Sequence, residues 1–218
     1  MISRILTLVS GCLLYLHSGA QVAGTVSSPD NRIVCRIEST GSSSAGNWLG
    51  FAADFNGRPF LLPTPGKAGI GFRLQNPALS LDRFRVIASH LQTTDQTWTP
   101  VWGEQKQIRN HYNQLTLELK DSNNILLNLV VRVFNDGFGF RYEFPAQPGL
   151  SHFIIADELS RFRMTGDHKA FWIPGDYDTN EYGYYTSQLS QVDASGGGMA
   201  QEIHAKTFFD KNAVQTPL

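Results

Sequence analysis

The chain has 218 residues, and 18 Lys and Arg stand against 19 Asp and Glu for a formal net charge of -1. That balance, with no basic stripe, argues against a nucleic-acid or anionic-lipid surface. Hydrophobic residues make up 41% of the sequence, which argues against a disordered chain and is enough for one domain with a real core.

Residues 1–20 read as a signal peptide. Arg4 supplies the positive start, Ile5 to Leu16 the apolar run, and Ser18-Gly19-Ala20 a small-residue cleavage site. The apolar run is far shorter than the ~20 residues a bilayer needs, so no transmembrane segment is expected. Export to the periplasm follows. Val9-Ser10-Gly11-Cys12 also resembles a lipobox with Cys12 as the lipidated residue, but the apolar run continues beyond Cys12, and soluble export is preferred. Removal of the leader leaves Cys35 alone, so the mature domain has no intrachain disulfide. Alternation in Arg32 to Glu38 makes Cys35 a small core residue of a strand.

From Ser28 onward the chain reads as short strands separated by turns. Arg32 to Ser39 is the first. Trp48 to Pro63 reads as a hairpin, with Leu49, Phe51, Ala53 and Phe55 alternating into an Asn56-Gly57 type I′ turn. Gly69 to Leu74 and Phe84 to Thr93 follow. Leu115, Leu117 and Leu119 alternate in one strand; Leu127, Leu129, Val131 and Val133 alternate in the next. Asn135-Asp136-Gly137 turns the chain into Phe138 to Pro145. Shorter strands are expected at Phe153 to Ile155, Arg161 to Met164 and Phe171 to Ile173. No segment keeps a 3.6-residue apolar stripe; only Ser187 to Val192 suits a brief helical turn. The fold expected is all-β, a large antiparallel β-sandwich. Ala194 to Gln201 is glycine-rich and reads as a loop over a site.

Most carboxylates have a plain structural reading. Asp136 is a turn residue, Asp157 and Glu158 form a solvated corner, and Glu118 and Glu143 lie on outward strand faces; Glu104 and Asp167 remain further acidic candidates. The run from Trp172 to Tyr185 differs. Asp176, Asp178 and Glu181 are flanked by tyrosines next to a Trp-Ile-Pro-Gly corner, a partly dry environment that favours functional or paired carboxylates, with turn chemistry alone an equal alternative for Asp176 and Asp178. His90, His111, His152, His168 and His204 lie far apart, with no zinc-type pair. The run from Asp176 starts like a calcium loop but lacks Gly at its sixth position and an acid at its twelfth. No nucleophile elbow or phosphate-binding loop is present. Trp98, Trp102, Trp172 and Tyr112 are candidates for stacking on sugar rings, with core packing as the plainer reading for each.

Three blocks, Thr97 to Leu119, Phe134 to Pro145 and Asp157 to Val192, resemble the N-terminal domain of glycoside hydrolase family 97, bacterial α-glucosidases and α-galactosidases of the starch-utilisation type. Ser27 to Ser39 and the closing Val214 to Leu218 fit the same domain. The resemblance implies an N-terminal sandwich over residues 24–218, a super-sandwich related to galactose-mutarotase-like folds. It further implies a catalytic (β/α)8 barrel after residue 218, carrying the acid and the base or nucleophile. Calcium is the cofactor it implies, held mostly by the barrel, with Glu181 as the ligand lent by the sandwich. The partners it implies are that barrel and an oligosaccharide substrate. On this reading the present residues hold no catalytic residue and do not turn over a glycoside alone. Two alternatives come from other classes. One is a stand-alone carbohydrate-binding protein built on an aromatic platform. The other is a mutarotase-like enzyme, for which His111 with Glu143 is the acid–base pair to test.

Overall fold

The computed structural model describes residues 21–175, 183–195 and 211–215. Fourteen strands follow in chain order among them: β1 (Val22–Ser27), β2 (Ile33–Ser43), β3 (Gly46–Phe55), β4 (Arg58–Leu62), β5 (Phe72–Asn76), β6 (Leu79–Leu81), β7 (Arg85–Trp98), β8 (Ile108–Lys120), β9 (Leu126–Val133), β10 (Phe138–Glu143), β11 (Ile154–Glu158), β12 (Arg163–Met164), β13 (Lys169–Trp172) and β14 (Tyr185–Gln188). One 3-10 turn, Leu189–Gln191, falls inside the segment expected to form a brief helical turn.

All strand pairing is antiparallel. Five strands form a first sheet in the order β1-β2-β3-β4-β12, and four form a second in the order β10-β9-β8-β7. Smaller sheets are β11-β5-β6 and β13-β14. The all-β sandwich expected from the alternation is the fold observed. Leu115, Leu117 and Leu119 of β8 lie opposite Val131, Leu129 and Leu127 of β9, so both alternating runs present one face. That face meets Val26, Cys35, Ile37, Phe51, Ala53 and Leu61 of the first sheet in a single core cluster. A period-two pattern can bury one face only, which is why these two runs fix the inner surface of the second sheet.

Close contact between the layers needs Gly24. A Cβ at that position would sit 2.8 Å from Leu115 Cδ2 and 3.0 Å from Leu117 Cδ2. The same glycine weakens the strand signature of β1, which the sequence alone does not reveal. The β3–β4 hairpin turns through Asn56 (φ 49°) and Gly57 (φ 74°), the left-handed pair of a type I′ turn. Between β8 and β9, the buried Asp121 carboxylate accepts hydrogen bonds from the backbone N–H of Asn123 (2.9 Å) and Ile125 (2.7 Å). Its desolvation is thereby offset within the turn.

The two sheets are unequal in width. β7 is an edge strand of 14 residues, exposed along nearly all its length. Leu91 lies opposite the buried Leu115 and so faces inward, yet it is 69% exposed. β1, at the edge of the first sheet, lies beside it and leaves an open cleft lined by Thr25, Val26 and Ser27 on one side and Leu91, Gln92 and Thr93 on the other.

Candidate functional site

The acidic, aromatic run at Trp172 to Tyr185 is the connection between β13 and β14. Trp172 pairs with Tyr185, Phe171 with Thr186, Ala170 with Ser187 and Lys169 with Gln188. Asp176, Asp178 and Glu181 lie outside the described residues, as do Cys12 and most of the glycine-rich segment after Ser195. The stem that carries the connection is described in full.

Its packing explains the dense aromatics. Trp172 is buried, and its ring stacks on Tyr185 at 5.2 Å between centroids with a 29° interplanar angle. The indole N–H donates to Ser187 Oγ at 3.0 Å. Ala170 and Ala194 close a small core with Tyr185, Leu189, Val192 and Val214 around this ring. The chain from Lys211 to Gln215 lies alongside. The Gly175 N–H donates to the Ala213 carbonyl at 2.8 Å and the Gln215 N–H to the Ile173 carbonyl at 3.0 Å. A second clasp is polar: Asp167 accepts from the Ser190 N–H at 2.8 Å and from its hydroxyl at 2.7 Å, which holds the carboxyl below its ordinary range. Both ends of the connection are therefore fixed by hydrogen bonds and by a core of their own.

Sequence reasoning singled out Trp172 but missed its partners. The alternation of Tyr185 with Ser187 was the available signal; it was hidden by the polar residues that follow. Of the other acidic candidates, Glu143 pairs with Arg141 on its strand, Asp157 with Arg73 and Glu158 with the Ser160 hydroxyl; Asp157 and Glu158 end strand β11, paired with β5, rather than forming the solvated corner expected. Cys35 is buried, and burial pushes its thiol up to about 12. Tyr112 is a core residue with the Arg132 guanidinium 4.5 Å above its ring. Trp98 and Trp102 are exposed at 52% and 88%.

The pair considered for a mutarotase-like reaction does not converge. Glu143 lies opposite Asn128, and Asn128 opposite Glu118 on β8. His111 is seven residues from Glu118 along that strand, about 23 Å at the rise of an extended chain. Its acidic neighbour is instead Asp95, at 4.0 Å. Among the described residues no three His, Cys, Asp or Glu side chains gather to hold a metal. No helix among them is long and apolar enough to cross a membrane.

An all-β sandwich carrying a braced acidic connection is the class of domain this structure defines. The family profile described as Glycosyl-hydrolase 97 N-terminal matches residues 26–218, and the chain belongs to that family. It is 27% identical over 193 residues to a retaining alpha-galactosidase from Bacteroides thetaiotaomicron, covering 83% of this chain and 26% of that protein. The fold is similar to that of a glycoside hydrolase family 97 enzyme from Pseudoalteromonas sp. strain K8 in complex with panose, with a TM-score of 0.65 and 27% identity over 77% of this chain and 25% of that one. The acarbose complex of the enzyme from that strain gives a TM-score of 0.63 and 26% identity, over 75% of this chain and 24% of that one. The chain thus spans about a quarter of the length of the relatives it matches.

Proposed function

We propose that this chain is the N-terminal sandwich of an exported α-glycosidase, packing on a catalytic (β/α)8 barrel and lending Glu181 to a calcium ion at the barrel mouth. The observation that carries this reading is the braced β13–β14 stem. A carboxylate offered across a domain junction needs a rigid base, because each ångström of play weakens the geometry of a ligand. Trp172, Tyr185 and Ser187 give the connection such a base. Calcium suits it chemically, since it takes ~6–8 oxygen ligands and accepts carboxylates from several segments. Bound there, the ion would tie the position of the two domains to the charge that steadies the reacting sugar.

The substrate class proposed is an α-glucoside or α-galactoside, in line with the alpha-galactosidase and the panose and acarbose complexes among the relatives. The barrel would make that choice. Residues 1–20 serve as the export signal, and Cys12 lipidation is the competing outcome. Two experiments test the proposal. The first is the intact mass of the native product, read with the DNA beyond the Leu218 codon. A product much heavier than 24.2 kDa with a barrel-like βα pattern supports it, and a stop codon there overturns it. In such a longer product, Glu181→Gln should weaken calcium binding in calorimetry, since one anionic ligand becomes neutral. Unchanged affinity would remove Glu181 from the calcium site.

A further inference from the structure

Three turns meet at one end of the sandwich. The turn after β1 is joined to the β9–β10 turn by the Asp30 N–H, which donates to Asn135 Oδ1 at 3.1 Å. It is joined to the β3–β4 hairpin by the Asn56 N–H, which donates to the Arg32 carbonyl at 2.8 Å. Between them opens a cleft of about 560 Å³. This volume lies within the ≈ 300–1,000 Å³ usual for small-molecule sites. Its apolar wall is Phe55, Phe60 and Phe138, from β3, β4 and β10; its polar rim is Arg32, Asn135 and Asp136.

We propose that this cleft binds an uncharged sugar ring of an oligosaccharide, stacked on Phe55 and hydrogen-bonded through its hydroxyls to Asp136 and Arg32. The choice of a sugar over other neutral polyols rests on membership of a glycoside hydrolase family. The site itself rests on its own geometry.

Phe55 is held out of the core at the tip of a tight hairpin, 44% exposed. Phe138 at the back of the cleft is anchored on the buried Phe51, 6.4 Å between ring centroids. Arg32 is fixed before any ligand arrives. Its guanidinium donates to Asp30 at 2.6 Å and to the Asn135 carbonyl at 3.4 Å, and lies 5.7 Å from the centroid of the Phe55 ring. Little side-chain freedom is left to lose on binding, which favours affinity.

The charges select the ligand. Asp30 already neutralises Arg32, and Asp136 adds a carboxylate with no hydrogen-bond partner or ion pair among the described residues. The rim is therefore rich in acceptors and carries no spare positive charge. Hydroxyl donors suit it, and phosphate or carboxylate groups do not. A sugar ring has a C–H face for the phenyl ring and hydroxyls at its edge for the rim, so one ligand satisfies both walls.

The test is a panose titration of the chain followed by NMR or calorimetry. Saturable binding in the millimolar range is expected. Phe55→Ala should lower affinity at least ~10-fold, Asp136→Asn several-fold, and Phe55→Trp should retain it. Melting temperature checks that each variant is folded; should Phe55→Ala unfold, Asp136→Asn and Phe55→Trp still decide. Glu181→Gln should leave this binding unchanged, so the calcium assignment and this site fail independently. No saturable binding overturns the proposal. So does binding that survives both Phe55→Ala and Asp136→Asn, or glucuronate binding tighter than glucose.

Discussion

Trp172 and Tyr185 are cross-strand partners whose rings stack at the point where the β13–β14 connection leaves its stem. One residue thereby serves two ends. It centres a small core with Ala170 and Ala194, and with Tyr185 it closes the stem at the base of a segment whose sequence carries three acidic residues.

Replacing Trp172 by Ala should cost about 3 kcal/mol, the low end for a buried aromatic, because the surrounding cluster is small. Ser187→Ala should cost about 1 kcal/mol through the unsatisfied indole N–H. Urea midpoints measure both. A Trp172→Ala midpoint equal to that of the unsubstituted chain would mean the stem adds nothing to the fold, and the braced base would have to be abandoned.

Gly24→Ala should destabilise the chain by about 1–3 kcal/mol, because the new methyl would fall 2.8 Å from Leu115 Cδ2. A Leu115→Ala change removes the nearer obstacle and leaves only Leu117 Cδ2, at 3.0 Å. The double variant should therefore lose less than the sum of the two single losses, a coupling that a mutant cycle reads directly. Strict additivity would show that the layers do not meet at this point.

Sandwich and inner face were legible because period-two alternation is the one pattern that buries a single side of an extended chain. Leu115 to Leu119 and Leu127 to Val133 announced themselves in this way. β1 did not, since packing on Leu115 demands a glycine where a strand normally shows a branched side chain. β14 was hidden because half of its four residues face water. Phe55 and Asp136 were both visible in the sequence, as the end of an alternation and as a turn residue. That they share a cleft follows only from three turns meeting in space. His111 and Glu143 show the reverse: a plausible pair in the sequence, held at opposite ends of one sheet by register.

Cys35 should resist alkylation by iodoacetamide at pH 8 in the folded chain and react fully once unfolded, because the thiolate is the reactive form. The sign of the pH effect follows. A thiol raised to about 12 in the fold, against ~8.5 when unfolded, contributes stability that is complete below the unfolded value. That stability is lost progressively as pH rises above ~8.5. Cys35→Ser should remove this alkaline component and cost about 1–3 kcal/mol, since a hydroxyl replaces a small apolar group in the core. Rapid alkylation of the native chain would contradict the buried placement.

Asp30 gives the opposite pH dependence. The Ser28 hydroxyl donates to its carboxylate at 2.6 Å and Arg32 donates to it as well, holding it down to about 2 from its ordinary 3.8. A carboxyl lowered in the folded state contributes stability above its unfolded pKa and loses it as pH falls through the folded one. The window therefore runs from about pH 4 down to about 2. In that range the urea midpoint of the unsubstituted chain should fall more steeply than that of Asp30→Asn, whose amide has no proton to take up. Asp30→Asn should also free the Arg32 guanidinium that lies over Phe55, so panose affinity at pH 7 should drop in the same variant. Parallel acid profiles for the two chains would show that the Ser28–Asp30–Arg32 cluster contributes nothing to the fold below pH 4.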